Sequence, residues 1–275
     1  FRKHGRGTES VTINGTTYNV QENVLGREYD YSNMLANYNG GYSDVQANAV
    51  AALMYDMGTS VEMSYHYTES GAVASLAPKA LVNYFGYSKQ ALMLYRESYT
   101  QDEWVSMLQT NLSTYGPTFF RGTDASGGGH AFVLDGCTDG GYFKINFGWE
   151  GVSNGYYLLP EIDYYNGQAA AFYLTPDKEG NSTYQDNLLI GPFTYYGNPD
   201  IHSSGIYAPS VLEYKTGEPF EIRLGAIHNQ GMAPFTGSVL IALCNDQGDI
   251  KENLSEIGFD IMDLKNLNTF IQVAE

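Results

Sequence analysis

The order of helix and strand signals along the chain restricts its fold more than any other property of the sequence. Capping boxes predict two helix starts, at Ser43 with Gln46 and at Thr100 with Glu103. A helix between them is predicted from near Ser75 to Phe85, with Pro78 in its first turn and Gly86 as its C-terminal cap. Five short strand-like runs separated by Gly-rich turns follow, at residues 118–121, 130–135, 142–147, 155–159 and 169–174. Helices followed by an antiparallel sheet are typical of an α+β domain.

A second region follows a polar, turn-rich stretch at residues 176–182. Apolar and polar residues alternate at 220–226 and again at Val239, Ile241 and Leu243, which predicts half-buried antiparallel strands. We therefore predict a first domain over residues 1–176 and a small immunoglobulin-like β-sandwich over residues 187–275. Strand-like sequence continues to the last residue, which favours a sandwich that extends further.

Charge and composition exclude several classes of function. The formal net charge of −17 argues against nucleic acid and anionic membrane as partners. The sequence contains no apolar run of the roughly 20 residues that a membrane span needs. Its two cysteines are far apart, and no Cys or His cluster has the spacing of a zinc site. We therefore predict no disulfide framework, no metal and no cofactor.

The stretch at residues 127–136, which reads GGGHAFVLDG, contains the first candidate catalytic residue. Glycines allow the backbone to approach another chain closely, and His130 directly after them begins an apolar strand. This pattern predicts an imidazole at the rim of a sheet, where a base acting on an extended peptide would lie. Taken alone, the pattern is explained better by a hydrogen-bonded histidine at the start of a strand.

The stretch at residues 142–151, which reads YFKINFGWEG, changes that balance. It follows the tight turn at residues 139–141, so the two stretches predict a hairpin that brings Asn146 and Trp149 near His130. A side-chain amide can accept the imidazole N–H and fix the tautomer, and an indole can keep water from that hydrogen bond. A Cys–His pair needs this support.

Together, the two stretches and the spacing between them resemble the streptopain family of bacterial cysteine peptidases. Weaker similarity covers residues 29–35, 45–63, 70–72 and 101–104. The resemblance implies a papain-like fold, with a helical half, an antiparallel sheet half and a cleft between them. It implies His130 as the base, Asn146 as the group that orients it and Trp149 as its shield. The substrate-binding residues that the resemblance implies are Ser70, Gly71, Gly128 and Gly129.

The resemblance also implies a biological setting. We expect a secreted, cell-surface or periplasmic bacterial endopeptidase, made as a zymogen, whose signal segment is not in this chain. Its expected partners are protein or peptide substrates and a pro-segment or inhibitor protein. Two departures from the family pattern affect substrate preference more than mechanism. Phe147 stands where the first of two family tryptophans usually stands, and the loop at residues 122–129 is slightly longer and carries Asp124.

The nucleophilic cysteine is expected outside the 275 residues. The first four residues, FRKH, resemble the end of the helix that carries it, which places the cysteine roughly nine residues, or two and a half helical turns, before Phe1. Cys137 follows His130 by seven positions, so on one strand the two side chains should lie on opposite faces, about 23 Å apart. Cys244 has the pattern of a packing or strand-end residue.

Two other functions fit the same motifs. A catalytically inactive peptide-binding or adhesion module would keep the peptidase fold without its chemistry. An amidase or transglutaminase would use a similar Cys–His pair. The residues before Phe1 discriminate the enzyme from the inactive module, because only the enzyme needs a cysteine there. Turnover of peptide bonds against isolated amides discriminates the peptidase from the amidase.

Overall fold

The computed structural model of the chain describes residues 9–20, 25–65, 70–190, 193–194, 201–202, 206–207, 221–224, 227–261, 266–267 and 272–274. The chain divides into two compact units. The first contains Phe1–Tyr87 and Pro176–Gly180, and the second contains Ser88–Thr175 and Asn181–Glu275. In the described part of the chain, no helix is long and apolar enough to cross a membrane.

In its described residues, the first unit contains two α-helices and two small hairpins. Its elements are β1 (Glu9–Ile13), β2 (Thr16–Val20), α1 (Asp44–Ser60), β3 (Ser64–Tyr65), β4 (Ser70–Gly71) and α2 (Leu76–Tyr84). Strand β1 pairs with β2 and β3 with β4, both antiparallel. Helix α1 contacts α2.

The predicted start of α1 and the predicted glycine after α2 are confirmed in this unit. The Ser43 hydroxyl accepts a hydrogen bond from the Gln46 N–H, and the Gln46 side chain accepts one from the Ser43 N–H, so the capping box at α1 is complete. Helix α2 begins after Ser75 and ends before Phe85, and Gly86 follows with φ +71°. That left-handed conformation is one that glycine adopts without strain, which is why the helix stops there.

The second unit is built on a six-stranded antiparallel sheet. Its elements are β5 (Leu92–Tyr95), α3 (Gln101–Tyr115), β6 (Thr118–Thr123), β7 (Gly129–Cys137), β8 (Phe143–Asn146), β9 (Gly155–Tyr157) and β10 (Asn166–Phe172), and the strand order is β5-β10-β6-β7-β8-β9. Five of these strands are predicted by the sequence, and β5 is not. Helices together with an antiparallel sheet confirm the predicted α+β class.

Helix α3 and one face of this sheet form the core of the second unit. Trp104 and Leu108 of α3 are fully buried and belong to one cluster with Phe120, Phe132 and Phe143 of the sheet. Burying each such side chain contributes about 1.5–3 kcal/mol of folding free energy. The capping box of α3, at Thr100 and Glu103, is present as predicted. The packed core therefore supports the strands of the sheet, including the start of β7.

The remaining strands form smaller antiparallel sheets. They are β11 (Leu188–Ile190), β12 (Phe193–Thr194), β13 (Ile201–His202), β14 (Ile206–Tyr207), β15 (Glu221–Leu224), β16 (Ile227–Asn229), β17 (Phe235–Cys244), β18 (Ile250–Ile261), β19 (Asn266–Leu267) and β20 (Gln272–Ala274). Within the described residues they pair as β11-β16-β19, β12-β13, β14-β15-β20 and β17-β18. The immunoglobulin-like sandwich over residues 187–275 stays a prediction.

Residues just after β16 contact the edge of the six-stranded sheet. The Met93 N–H of β5 donates to the Gln230 carbonyl at 3.2 Å, and the Gln230 N–H donates to the Asn187 carbonyl at 2.9 Å. Gln230 is 2% exposed. An uncovered edge strand is a site for unwanted strand pairing, so this segment protects β5. That contact explains why these later residues belong to the same unit as the sheet.

The hairpin of β17 and β18 departs from the predicted alternation at one point. Val239 and Ile241 are half-buried as predicted, and Leu240 between them is 41% exposed. The register shifts between Ile241 and Ala242, and Leu243 is 53% exposed. The prediction that Leu243 is half-buried is therefore wrong. The extra residues at the register shifts lie in β18, and Leu243 and Cys244 at the end of β17 are both exposed.

Candidate active site

His130 lies at the beginning of β7, on the covered face of the six-stranded sheet. Side chains alternate along β7, so His130 shares a face with Phe132 and Leu134, which are 3% and 0% exposed. His130 itself is half-buried. The predicted position at the rim of the sheet is confirmed, since the strand begins one residue earlier at Gly129.

A glycine across the sheet makes room for the chain that passes beside His130. Gly122 of β6 is the direct cross-strand neighbour of His130. A side chain at Gly122 would collide with the main-chain carbonyl of Tyr164. The absence of a side chain there lets the Tyr164 segment lie against the sheet, with its ring 5.1 Å from the His130 ring.

Aromatic rings surround the imidazole. The Trp149 ring stacks on the His130 ring with a centroid distance of 4.8 Å and an interplanar angle of 23°. Phe147 stacks on Trp149 at 5.1 Å, and Phe132 lies 5.9 Å from His130. Trp149 is 40% exposed, so it covers the imidazole from the solvent side. The predicted proximity of Trp149 to His130 is confirmed.

One hydrogen bond fixes the imidazole. His130 Nε2 lies 2.8 Å from the main-chain carbonyl oxygen of Phe147. A carbonyl oxygen can only accept, so Nε2 carries the hydrogen in the neutral ring. Nδ1 is then the nitrogen with a free lone pair, and it is the one that can take a proton from a substrate or a thiol.

The acceptor of this hydrogen bond differs from the predicted one. Asn146 is exposed and lies opposite Val133, on the other face of the sheet from His130. Its Oδ1 accepts from the Gly148 N–H at 2.9 Å. The physical reason is the alternation of β8, which turns Asn146 away and leaves the Phe147 main chain facing the ring. The alternation of side chains already indicates this in the sequence. His130 is two residues from the apolar Phe132 and shares its face, whereas Asn146 directly follows the apolar Ile145 and points to the opposite face.

The loop before His130 is held by a single carboxylate. Asp124 Oδ1 accepts from the Ser126 N–H at 2.8 Å, the Ser126 hydroxyl at 2.6 Å and the Gly128 N–H at 2.9 Å. These bonds lower the pKa of Asp124, and the bond from the Ser126 hydroxyl contributes most to that lowering. Gly128 and Gly129 are exposed at the end of this ordered loop, next to His130. Their backbone is thus presented in a fixed conformation.

The other two predicted substrate-binding residues lie in the first unit. Ser70 and Gly71 form strand β4, which pairs with Ser64 and Tyr65 of β3, and both are exposed. Their role in substrate binding stays a prediction. The segment FRKH at residues 1–4, on which the position of the nucleophile rests, lies outside the described residues.

The structure corrects the predicted position of one cysteine, Cys137, and places Cys244 at a strand end as predicted. Cys137 ends β7, packs against the core cluster and lies opposite the fully buried Phe143. The prediction that Cys137 and His130 point to opposite faces is wrong, because a register shift between Leu134 and Gly136 reverses the alternation. Seven residues of strand still separate them by roughly 20 Å. Cys244 is exposed at the end of β17.

The described residues contain no group of three or more His, Cys, Asp or Glu side chains that could hold a metal ion. The chemistry that the arrangement around His130 supports is that of an oriented imidazole. Its Nε2–H is engaged by a main-chain carbonyl, its Nδ1 can exchange a proton, and aromatic rings limit access of water. Such a group is suited to general acid–base catalysis beside a nucleophile.

Comparison of the sequence with known proteins finds cysteine peptidases. The model of the Peptidase C10 family matches residues 1–157. Streptopain from Streptococcus pyogenes is 32% identical over 160 residues, which are 57% of this chain and 40% of streptopain. The thiol protease/hemagglutinin PrtT from Porphyromonas gingivalis is 33% identical over 143 residues, 52% of this chain and 16% of that protein. This chain therefore spans less than half the length of each of these relatives.

Solved structures also match. The active wild-type interpain A cysteine protease of Prevotella intermedia is 31% identical, with a TM-score of 0.49, over 60% of this chain and 73% of that one. A fragment of prointerpain A from the same organism is 32% identical, with a TM-score of 0.48, over 60% of this chain and 55% of that one.

Proposed function

Because the chain belongs to the Peptidase C10 family, we propose that it is part of a bacterial cysteine endopeptidase in which His130 is the catalytic base. The observation that carries the proposal is the hydrogen bond from His130 Nε2 to the Phe147 carbonyl, which leaves Nδ1 free to accept a proton. The names of the relatives, streptopain and interpain A cysteine protease, support the same chemistry.

The nucleophile in this proposal is a cysteine in the sequence before Phe1. It lies on a helix of which residues 1–4 form the end, as the resemblance to the family implies. His130 Nδ1 takes the thiol proton, and the thiolate attacks the carbonyl carbon of the peptide bond. The resulting imidazolium gives that proton to the leaving amine as the C–N bond breaks, which forms a thioester. Water then attacks the thioester with His130 as base, and the acid and the free thiol are released.

The surroundings of His130 support each of these steps. Trp149 stacks on the ring and limits the approach of water to the Nε2 hydrogen bond. Gly128 and Gly129 offer main-chain groups to an extended substrate beside the base, and we propose the same use for Ser70 and Gly71. Asn146 acts on the imidazole through the main chain, because its amide oxygen accepts from the N–H of Gly148.

The proposed setting follows from the relatives. We propose that the protein is secreted or held at the cell surface or in the periplasm, and that a pro-segment or inhibitor protein controls it. Prointerpain A, a relative with a precursor form, supports the pro-segment. The proposed substrates are proteins, cut in extended segments. The papain-like division into two halves and the immunoglobulin-like sandwich belong to the same proposal.

The experiment uses the protein extended to include the residues before Phe1. We expect it to hydrolyse an unstructured protein such as casein, and an epoxide inhibitor of papain-like enzymes to label one cysteine, upstream of Phe1, as mapped by mass spectrometry. The variant with Cys137→Ser and Cys244→Ser is the control, and it should keep both turnover and labelling. Labelling of Cys137 or Cys244 would contradict the proposal. Binding of peptides without hydrolysis would favour the inactive module instead.

A further inference from the structure

We propose that Asn154 is a positioning residue for His130 and acts through the main chain of Phe147. This inference rests on the proposed function of His130, and deepens it. The acceptor that orients the imidazole is a main-chain carbonyl, so the position of that oxygen follows the backbone at position 147 and not a side-chain rotamer. Its position depends on whatever fixes the backbone of the loop at residues 147–154.

That loop has an unusual backbone. Gly148, Glu150, Gly151 and Ser153 have φ values of +78°, +52°, +91° and +63°. The left-handed region is unfavourable for Glu150 and Ser153, so local backbone preference does not hold the loop in this shape. Ring packing of Phe147 and Trp149 and hydrogen bonds hold it instead. The main-chain hydrogen bonds inside the loop, such as Val152 N–H to the Trp149 carbonyl at 2.8 Å, do not reach Phe147.

Asn154 makes the bond that closes the base of the loop. Its Oδ1 accepts from the Phe147 N–H at 3.0 Å, which joins the first and last residues of the loop. On the other side of Phe147, Asn146 Oδ1 accepts from the Gly148 N–H at 2.9 Å. The two amide side chains thus hold the N–H groups on both sides of the carbonyl that His130 uses.

This arrangement restricts rotation of the Phe147 carbonyl. The peptide unit between Phe147 and Gly148 donates to Asn146 and accepts from His130, so its two bonds polarise each other. Asn154 fixes the preceding peptide unit, which sets the starting direction of the chain. Loss of the Asn154 bond should let the carbonyl move away from Nε2, and Trp149, carried by the same loop, should lose its stacking on the ring.

Three variants separate positioning from a general role in the turn. Asn154→Ala removes the acceptor, whereas Asn154→Asp keeps an oxygen at the same reach. Asn245→Ala is the matched control, because Asn245 is also a turn asparagine whose Oδ1 accepts from main-chain N–H groups. Those groups are the Gln247 N–H at 3.1 Å and the Asp249 N–H at 2.8 Å, in a turn far along the chain. If Asn154→Ala does not fold, Asn154→Ser, whose hydroxyl is too short to reach Phe147, is measured instead.

The first measurement is NMR of the histidine side chains on the 275-residue chain at a pH where the ring is neutral. We expect the Nε2–H tautomer of His130 in the unmodified chain, and in Asn154→Ala a mixed tautomer with about 10-fold faster exchange of that hydrogen with water. Asn154→Asp and Asn245→Ala should resemble the unmodified chain. An unchanged tautomer and exchange rate in Asn154→Ala would overturn the proposal.

The second measurement is turnover by the protein extended before Phe1. Asn154→Ala should lower kcat about 10-fold and change KM by less than about twofold, and Asn154→Asp should recover kcat. If the extended protein has no turnover but the tautomer still shifts, the positioning role of Asn154 stands and the proposed peptidase function fails. If turnover is normal and the tautomer does not shift, only the role of Asn154 fails.

Discussion

Two polar groups, one in each unit, are fixed by different means. In the first unit the Asp56 carboxylate is 0% exposed and is held by side chains: Arg27 binds both of its oxygens at 2.8 Å, and the Tyr29 hydroxyl donates to it at 2.8 Å. Burial, and then Asp56, raise the pKa of Tyr29. In the second unit the His130 ring is held by a main-chain carbonyl and by stacked aromatic rings.

The difference determines which substitutions each group tolerates. A group held by side chains loses one of its partners when one of those residues changes. A group held by a main-chain carbonyl keeps its partner whatever the side chain there, provided that the loop keeps its shape. This explains how Phe147 can stand where the resemblance places a tryptophan, since either residue supplies the same carbonyl and a ring for packing.

The largest change in the free energy of unfolding that tests this comparison is expected on replacing Arg27. Arg27→Met removes the cation that contacts both oxygens of the buried Asp56 carboxylate, so we expect a loss of about 3 kcal/mol in the free energy of unfolding, measured by urea denaturation. Adding Asp56→Asn to that variant should recover part of the loss, because the buried charge is removed. Asp44→Ala, on the exposed first turn of the same helix, is the control and should cost about 0.5 kcal/mol. A loss at Arg27 no larger than the control would show that side chains do not hold Asp56.

Replacing Phe147 with Trp should change stability and turnover less. Phe147→Trp keeps the carbonyl and an aromatic ring, so unfolding free energy should change by less than about 1.5 kcal/mol and turnover of the extended protein by less than about threefold. Phe147→Ala is the comparison, because the residue is 6% exposed and its loss opens a cavity worth about 3 kcal/mol or more. If Phe147→Trp abolished turnover while folding normally, the side chain, and not the carbonyl, would set the position of His130.

Local signals in the sequence were sufficient for the helices and for part of the site. Capping boxes at Ser43 and Thr100 determine the helix starts because they depend only on neighbouring residues. The hairpin of β7 and β8 brings Trp149 to His130 for the same reason. Strand β5 was missed, since a short apolar run at Leu92–Tyr95 has no period that separates a buried strand from a helix segment.

Features that depend on register could not be predicted in the same way. The shift after Leu134 reverses the alternation of β7, and so Cys137 lies on the face opposite to the predicted one. Leu243 lies beside the register shifts of the β17–β18 hairpin and is exposed, not half-buried. No residue type marks such an irregularity reliably. The contact between Tyr164 and Gly122 joins residues far apart in the chain, and a sequence contains no local signal for it.

The central claim, that His130 is the base of a cysteine peptidase, is tested most directly by replacing it. In the protein extended before Phe1, we expect His130→Ala to lower kcat/KM on an unstructured peptide by about 1,000-fold or more, because both the thiolate and the leaving amine depend on that imidazole. His228→Ala, in strand β16, is the control and should retain turnover. Near-wild-type kcat/KM in a His130→Ala variant that circular dichroism shows to be folded would contradict the claim.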